Sequence, residues 1–211
     1  MSFKNISGVI DKNTTDGWGG YGNDFLKTLY DRVIQKKPNT ILEFGTGYGY
    51  TTIALAQGLR DLDKYDGLLF TYDHYDDDYS PIPGMNPWTH TQEIVKTNLD
   101  IFGVQNYVKM HSMNIFKWFE NPFHFDLIFI DIHNNGDVLN KIFNQKIFRE
   151  SVEGGAEVLF CGGSKTRDKI NVERNEKPIT SVDCKIECIF GGSSFNNPDG
   201  EKSCIARILE Y

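Results

Sequence analysis

Short apolar runs alternate along the chain with longer stretches in which apolar residues recur every three or four positions. The short runs predict buried strands at residues 40–44, 67–73, 107–112, 125–131 and 156–161. The longer stretches predict helices at residues 23–37, 50–59, 90–102 and 136–152. In the last of these, Val138, Ile142, Phe143 and Ile147 fall on one face. This alternation indicates a parallel sheet that is covered by helices on both faces.

The last part of the chain departs from this alternation. Two strand-like runs within residues 184–211 are joined by a connector rich in Gly, Ser, Asn and Pro, without a helical stretch. We interpret them as an antiparallel hairpin at the edge of the sheet. The expected fold is therefore α/β, with a doubly wound, mostly parallel seven-stranded sheet and a C-terminal antiparallel hairpin. Nothing in the sequence requires a second domain, so residues 1–211 are predicted to form one domain.

Composition and charge narrow the class of partner. With 211 residues, 39% of them apolar, the chain can bury a sizeable core. Its formal net charge of −7 disfavours binding to nucleic acid, which needs a concentrated positive surface. No apolar run approaches the roughly 18 residues of a membrane span, and the first residues lack the apolar run of a signal peptide. We therefore expect a soluble, cytoplasmic protein that binds neither nucleic acid nor a membrane.

Two groups of residues have the chemistry of metal ligands without a matching spacing. The four cysteines fit no common zinc or redox pattern and alternate with apolar residues, which predicts buried thiols: Cys161, Cys184, Cys188 and Cys204. The segment 74–88 is polar and turn-rich, and the acidic stretch 74–78 within it is interpreted as a solvated loop. A second polar, turn-rich segment, residues 162–178, follows the fifth predicted strand. Both segments would lie at the carboxyl end of the sheet, where open α/β folds bind their ligands.

A glycine-rich loop joins the first predicted strand to the next helix, within the sequence LEFGTGYGYTTIALA at residues 42–56. Its three alternating glycines are Gly45, Gly47 and Gly49. Glycine leaves the backbone amides uncovered, and the start of a helix adds further unpaired amides. A ligand can therefore approach the backbone closely at this loop. The alternative is a tight strand-to-helix turn that binds nothing.

Two positions beside the glycines indicate the kind of ligand. A dinucleotide-binding loop has the pattern G-x-G-x-x-G, which needs a glycine at the position of Tyr50. Glu43 lies two residues before the first glycine, and its carboxylate would repel a pyrophosphate and attract a cation or an ammonium group. We therefore favour a cationic ligand. A nicotinamide cofactor stays the alternative, because Asp73 lies near the roughly 20 residues beyond the loop that are expected for a ribose-binding acid.

The residues quoted above resemble a known family. The loop LEFGTGYG, an acid that ends the second strand, and FDLIFID in the fourth strand are similar to the class I S-adenosylmethionine-dependent methyltransferases. Within that family, the helix before the loop, the block 42–56, IFID and EGGAEVLF resemble the small-molecule O-methyltransferases typified by catechol O-methyltransferase. The resemblance implies a Rossmann-like fold and S-adenosylmethionine as the cofactor.

The resemblance also implies where the cofactor binds. In the family the glycine loop wraps the methionine and ribose portions, so Gly45, Gly47 and the backbone of Thr46 are expected to line the cofactor. The acid at the end of the second strand takes both ribose hydroxyls, because a carboxylate offers two acceptor oxygens. That role falls to Asp73. Glu43 is expected either to orient the loop or to meet the cofactor's ammonium group.

Further cofactor contacts are expected elsewhere in the chain. Met113 and Asn114 follow the third strand and are the candidates for packing on adenine and for bonding its N6 group. Asp131, at the end of the fourth strand, is assigned to the cofactor as well as to catalysis. The segment 16–22 occupies the place that folds over the cofactor in relatives. Asp76 is the rival of the ribose-binding acid if the register shifts.

Catalysis of methyl transfer needs an aligned acceptor and, for a hydroxyl, removal of its proton. Asp131 and His133 are the predicted catalytic residues, with His133 as the candidate general base. In metal-dependent relatives an Asp-Asn pair after the fifth strand joins the aspartate in binding magnesium. This chain has Cys161 and Gly162 at that pair, and Asn134 where a lysine is expected. No metal is therefore predicted.

The sequence thus predicts a methyltransferase that uses S-adenosylmethionine and acts on a small-molecule acceptor, at a hydroxyl oxygen. Two alternatives stay open. One is a nicotinamide-dependent oxidoreductase, and the other is a degenerate relative that binds the cofactor without catalysis. A homodimer is expected from the resemblance alone.

Overall fold

A computed structural model describes residues 2–10, 21–62, 67–75, 92–191 and 204–210 of the chain. The chain divides into two compact units, Met1–Glu120 and Asn121–Tyr211. The predicted single domain over residues 1–211 stays a prediction. Asp76 and most of the segment 16–22 lie outside the described residues. Among the helices that are described, none is both long enough and apolar enough to cross a membrane.

The first unit alternates strands and helices. Its described elements are α1 (Asn23–Lys36), β1 (Thr40–Phe44), α2 (Tyr50–Asp61), β2 (Leu68–Asp73), α3 (Gln92–Ile101), β3 (Val108–Ser112) and the short α4 (Ile115–Trp118). β2 lies between β1 and β3 and pairs with both in parallel. The three strands predicted for this part of the chain are therefore confirmed within one or two residues.

The core of the first unit explains why these elements form. Ile41, Leu42 and Phe44 of β1 are fully buried, as expected of a strand that is covered on both faces. α1 buries one face at helical spacing, made of Phe25, Leu26, Leu29, Tyr30 and Val33. This core holds β1 in place, and therefore also the point at which the glycine loop begins.

The second unit continues the alternation and ends in a hairpin. Its described elements are β4 (Leu127–Ile130), α5 (Gly136–Phe143), α6 (Lys146–Glu153), β5 (Glu157–Cys161), α7 (Lys165–Glu173), β6 (Lys185–Phe190) and β7 (Ile205–Glu210). β4 pairs with β5 in parallel, and β7 pairs with both β5 and β6 in antiparallel fashion. The predicted α/β fold with seven strands, mostly parallel, and a C-terminal antiparallel hairpin is confirmed.

The helix predicted over residues 136–152 is in fact two helices. α5 ends at Phe143, and Gln145 has an extended backbone with ψ 135°, from which α6 starts in a new direction. Because of this break, Phe148 rather than the predicted Ile147 is fully buried, and its ring packs 5.1 Å from that of Phe125. The prediction was wrong here because the apolar spacing continues without interruption from α5 into α6, so the sequence pattern does not reveal the turn between them.

α7 lies inside the segment 162–178, which the sequence analysis describes only as polar and turn-rich. Ser164 caps this helix, since its Oγ accepts a hydrogen bond from the backbone N–H of Arg167 at 3.1 Å. The helix carries no apolar stripe, and Val172 is 59% exposed. A polar helix of this kind is invisible to a search for apolar periodicity.

The cysteines are all free thiols in the described structure. Cys161 and Cys204 are buried, whereas Cys184 and Cys188 are half-buried. The expectation of buried thiols therefore holds for two of the four. Burial raises the pKa of the Cys184 thiol to about 11, which leaves it protonated at neutral pH.

Candidate functional site

The glycine loop follows β1 and leads into α2. Gly45, Gly47 and Gly49 have φ angles of 96°, 51° and 88°, a backbone conformation that side chains with a Cβ rarely adopt. The N–H of Gly45 donates to the carbonyl of Tyr72 at 2.9 Å, which ties the loop to β2. The loop is thus a piece of backbone that is shaped by glycine and tied to β2.

Glu43 anchors this loop from beneath. Its side chain is fully buried, and its carboxylate accepts hydrogen bonds from the hydroxyls of Thr51, Thr52 and Thr71 at 2.7, 2.6 and 2.6 Å. The hydroxyl of Thr46, within the loop, lies 2.5 Å from that of Thr71. A buried carboxylate is stable only when such donors surround it. Of the two roles expected for Glu43, this position favours orienting the loop.

Asp73 ends β2 beside the same loop. Its Oδ2 accepts a hydrogen bond from the backbone N–H of Gly47 at 2.7 Å, and the side chain is half-buried. The backbone carbonyl of Asp73 accepts from the N–H of Met113 at 3.0 Å. The structure therefore brings three predicted cofactor-binding residues together: the loop glycine, the acid and Met113.

Asn114 lies next to Met113 and caps α4. Its Oδ1 accepts a hydrogen bond from the backbone N–H of Phe116 at 2.9 Å, and the side chain is exposed. Met113 is half-buried. The expected roles of both residues toward adenine stay predictions.

Tyr75 is a residue of this site that the sequence analysis missed. Burial raises the pKa of its phenol, and the neighbouring Thr46 opposes the shift. The phenol therefore lies beside the glycine loop and stays protonated at neutral pH. The sequence analysis missed Tyr75 because the surrounding acidic stretch looks like a solvated loop. The one sequence signal for it is its place two residues after Asp73, the acid that ends β2.

In the second unit, two predicted residues follow β4. Asp131 and His133 are both half-buried. His133 Nε2 lies 2.5 Å from Oε1 of Glu176, a residue that follows α7 and that the sequence analysis did not single out. The two side chains are 26% and 24% exposed. A histidine and a carboxylate thus meet just past the carboxyl end of β4, although 43 residues separate them in the chain.

Asn134 ties the ends of two strands together. Its side chain is 1% exposed, and its Nδ2 donates to the carbonyls of Ile130 at 3.0 Å and of Cys161 at 2.8 Å. Those carbonyls belong to the last residues of β4 and β5. A lysine could not take this place, because its ammonium group would be buried without a counter-charge.

The positions of the magnesium-binding pair do not fit a metal. Cys161 is buried, and Gly162 has a φ angle of 122°. A Cβ at Gly162 would collide with the Cδ1 of Ile179, so no side chain with an oxygen ligand can stand there without rearrangement. Among the described residues, no three or more His, Cys, Asp or Glu side chains are placed to hold a metal ion.

The geometry defines an α/β protein with a bare glycine loop and an acid beside it, and the comparison with known families agrees. Residues 42–156, more than half of the chain, match the family model described as a methyltransferase domain. The chain therefore belongs to that family. The predicted class of protein is confirmed, and the nicotinamide-dependent alternative is not favoured. No curated protein matches the sequence.

Solved structures with the same fold are enzymes of related description. An O-methyltransferase from Bacillus cereus, in complex with S-adenosylhomocysteine, has a TM-score of 0.61 at 16% identity, over 96% of this chain and 87% of its own. A putative O-methyltransferase from Klebsiella pneumoniae has a TM-score of 0.59 at 18% identity, over 97% and 90%. The O-methyltransferase TomG from Streptomyces achromogenes, in complex with S-adenosylmethionine, has a TM-score of 0.57 at 16% identity, over 91% of this chain and 82% of its own. At these identities the likeness supports the fold.

Proposed function

We propose that this protein transfers a methyl group from S-adenosylmethionine to a hydroxyl oxygen of a small molecule. The observation that carries the proposal is the hydrogen bond from Gly47 N–H to Asp73 Oδ2 at 2.7 Å, because it places an acid directly on the bare loop of a methyltransferase domain. The related folds solved with S-adenosylmethionine or S-adenosylhomocysteine add support for the cofactor.

The residues of the first unit fit this cofactor. A Cβ at Gly47 would meet no atom of the described residues within 4 Å, so those residues leave open space on this side of the loop. A carboxylate has about four acceptor positions, so Asp73 can accept the Gly47 amide and also hydroxyl groups of a ribose. When bound, the cofactor supplies a methyl group whose C–S bond electrons stay on sulfur as the acceptor oxygen bonds to the carbon. The protein's task is to hold and align.

On the acceptor side, a hydroxyl must lose its proton. Asp131 and His133 follow β4 and are the side chains that we assign to this step. The magnesium pair of metal-dependent relatives is replaced by a buried thiol and by a glycine whose φ of 122° disfavours any side chain there. We therefore derive proton removal from a side chain rather than from a metal-bound hydroxyl. The predicted cytoplasmic location and homodimer stay predictions.

Calorimetric titration with S-adenosylmethionine tests the cofactor. We expect binding to the wild type and a tenfold to hundredfold weaker affinity for Asp73→Asn, because about 1.5–3 kcal/mol is lost with a hydrogen bond to a charged group. The asparagine keeps one acceptor oxygen for the Gly47 amide, so the loop retains its anchor. Asp24→Asn, at an exposed position of α1, is the matched control and should bind as the wild type does. Equal affinity of all three would overturn the role of Asp73.

A panel of phenols and catechols tests the reaction, with S-adenosylhomocysteine release as the measurement. Turnover of any of them supports O-methylation, and a mass increase of one methyl group on the acceptor identifies the product. Cofactor binding without turnover on oxygen, nitrogen or thiol acceptors would favour the binding-only relative. Binding of NAD or NADP in place of S-adenosylmethionine would reject the proposal.

A further inference from the structure

The contact between His133 and Glu176 favours a proton on one of the two ring nitrogens. Nε2 of His133 lies 2.5 Å from Oε1 of Glu176. An ionised carboxylate can only accept hydrogen bonds, so the nitrogen that faces it must be the donor. In a neutral imidazole the other nitrogen then has no proton. Nδ1 is therefore the nitrogen with a lone pair, and within the described part of the chain it has no hydrogen-bond partner.

Glu176 is held in this place by the end of α7. Its backbone N–H donates to the carbonyl of Asn171 at 2.8 Å, and Asn175 before it adopts a left-handed φ of 59°. The side chain of Asn171 is 1% exposed and donates from Nδ2 to the carbonyl of Asn134 at 3.2 Å. Asn171 thus links the backbone that carries Glu176 to the residue that follows His133.

His133 is held from the other side by Asn134. The backbone N–H of Asn134 donates to the carbonyl of Ile132 at 2.7 Å, which closes a tight turn around His133. Its side chain is bonded to the ends of β4 and β5, as described above. Buried polar groups that are bonded in this way have few alternative positions. Both partners of the pair are therefore supported by one network of buried amides.

We propose that Glu176 is a positioning residue: it holds the imidazole of His133 with Nε2 protonated, so that Nδ1 takes the proton from the acceptor hydroxyl. The proposal rests on the proposed function, in which His133 removes that proton. In this step the O–H bond breaks, the proton goes to Nδ1, and the oxygen's electron pair forms the bond to the methyl carbon. Glu176 accepts no proton, and its charge stabilises the imidazolium that results.

The state of the ring is measured by NMR, independently of turnover. Long-range nitrogen–proton spectra of 15N-labelled protein distinguish the two neutral tautomers, and His133→Asn assigns the signals. We expect the wild type to show the Nε2–H tautomer alone. Glu176→Gln should show a mixture, because an amide can donate to the ring as well as accept from it. Glu173→Gln, on the exposed side of α7, is the matched control and should match the wild type. An unchanged tautomer in Glu176→Gln would overturn the proposal.

Turnover of the acceptor found in the panel above then tests whether the ring orientation set by Glu176 matters for catalysis. We expect Glu176→Gln to lower kcat about tenfold to hundredfold, with the KM for the acceptor and the affinity for S-adenosylmethionine within twofold of the wild type. Glu176→Asp keeps the carboxylate and should recover part of kcat. A loss of folding would instead lower the thermal midpoint and all activities together.

The two proposals fail in different ways. If His133→Asn abolishes turnover while Glu176→Gln keeps the wild-type kcat, Glu176 is not a positioning residue although the methyltransferase reaction stands. If the wild type methylates no acceptor, the proposed function fails, and the NMR measurement still decides whether Glu176 sets the tautomer.

Discussion

The segments that follow β1 and β4 both leave the carboxyl end of a parallel strand, yet they are built differently. After β1, glycines shape the backbone, and the buried Glu43 is turned inward onto threonine hydroxyls. After β4, His133 and Glu176 pair through side chains that are 26% and 24% exposed, and the buried amide of Asn134 holds the adjacent chain. The difference teaches that the first segment is shaped by its glycine backbone, whereas the second segment is built on paired side chains.

The largest effect is expected at the anchor of the first segment. Glu43→Ala leaves three buried hydroxyls without their acceptor and opens a cavity, which should lower the free energy of unfolding by about 3 kcal/mol or more. Urea unfolding measures it. Thr51→Val removes one of the three donors and should cost about 1 kcal/mol. If the valine variant were the less stable of the two, the carboxylate would not be the anchor.

The second segment has its own anchor, with a smaller expected effect. Asn134→Ala removes both hydrogen bonds that join the ends of β4 and β5, and should lower the free energy of unfolding by about 2 kcal/mol. Asn144→Ala, at an exposed position between α5 and α6, is the control and should change stability by less than about 0.5 kcal/mol. Similar losses in the two variants of the urea experiment would contradict the role of Asn134.

A pair of glycine substitutions sharpens the contrast between shape and stability. Gly47 and Gly103 have left-handed φ angles of 51° and 64°, and a Cβ at either position would meet nothing within 4 Å in the part of the chain that the structure describes. Alanine at each should therefore cost about 1 kcal/mol in unfolding. The affinity for S-adenosylmethionine in a calorimetric titration should fall more than tenfold for Gly47→Ala alone. Equal affinities would mean that the open side of the loop is not where the ligand lies.

The smallest effect concerns pH and the first unit. Burial lowers the pKa of His111, whose ring stacks on Tyr72 at 4.7 Å. The folded pKa is below the unfolded value of about 6.5, so stability is fully present above that pH and is lost as the pH falls through the folded pKa. His111→Phe removes this loss. Urea unfolding should show that the free energy of unfolding of the wild type decreases from pH 7.5 to pH 5, and that this decrease is smaller in His111→Phe. An equal decrease in both proteins would contradict the assignment to His111.

The elements of this fold that could be predicted from the sequence are those whose residues are buried. β1 and β5 are mostly apolar and almost fully buried, so their positions could be predicted within a residue. The polar helix α7 could not, because it has no apolar face to reveal its period. The glycine loop was found because its residue types are unusual in themselves. Glu176 was missed because its importance comes only from a partner 43 residues away.

The anchor of Glu43 also restricts how this loop can change during evolution. If Glu43 is replaced first by an apolar residue, the buried hydroxyls of Thr51, Thr52 and Thr71 lose their acceptor. If the hydroxyls are lost first, the buried carboxylate loses its donors. Each order passes through a less stable intermediate, so these four positions are expected to change together or not at all. In a double-mutant cycle, the combined variant Glu43→Leu and Thr51→Val should lose less free energy of unfolding than the two single variants lose in sum. A graft of the glycines alone into another strand-to-helix turn would therefore lack the buried residues that keep this loop in shape.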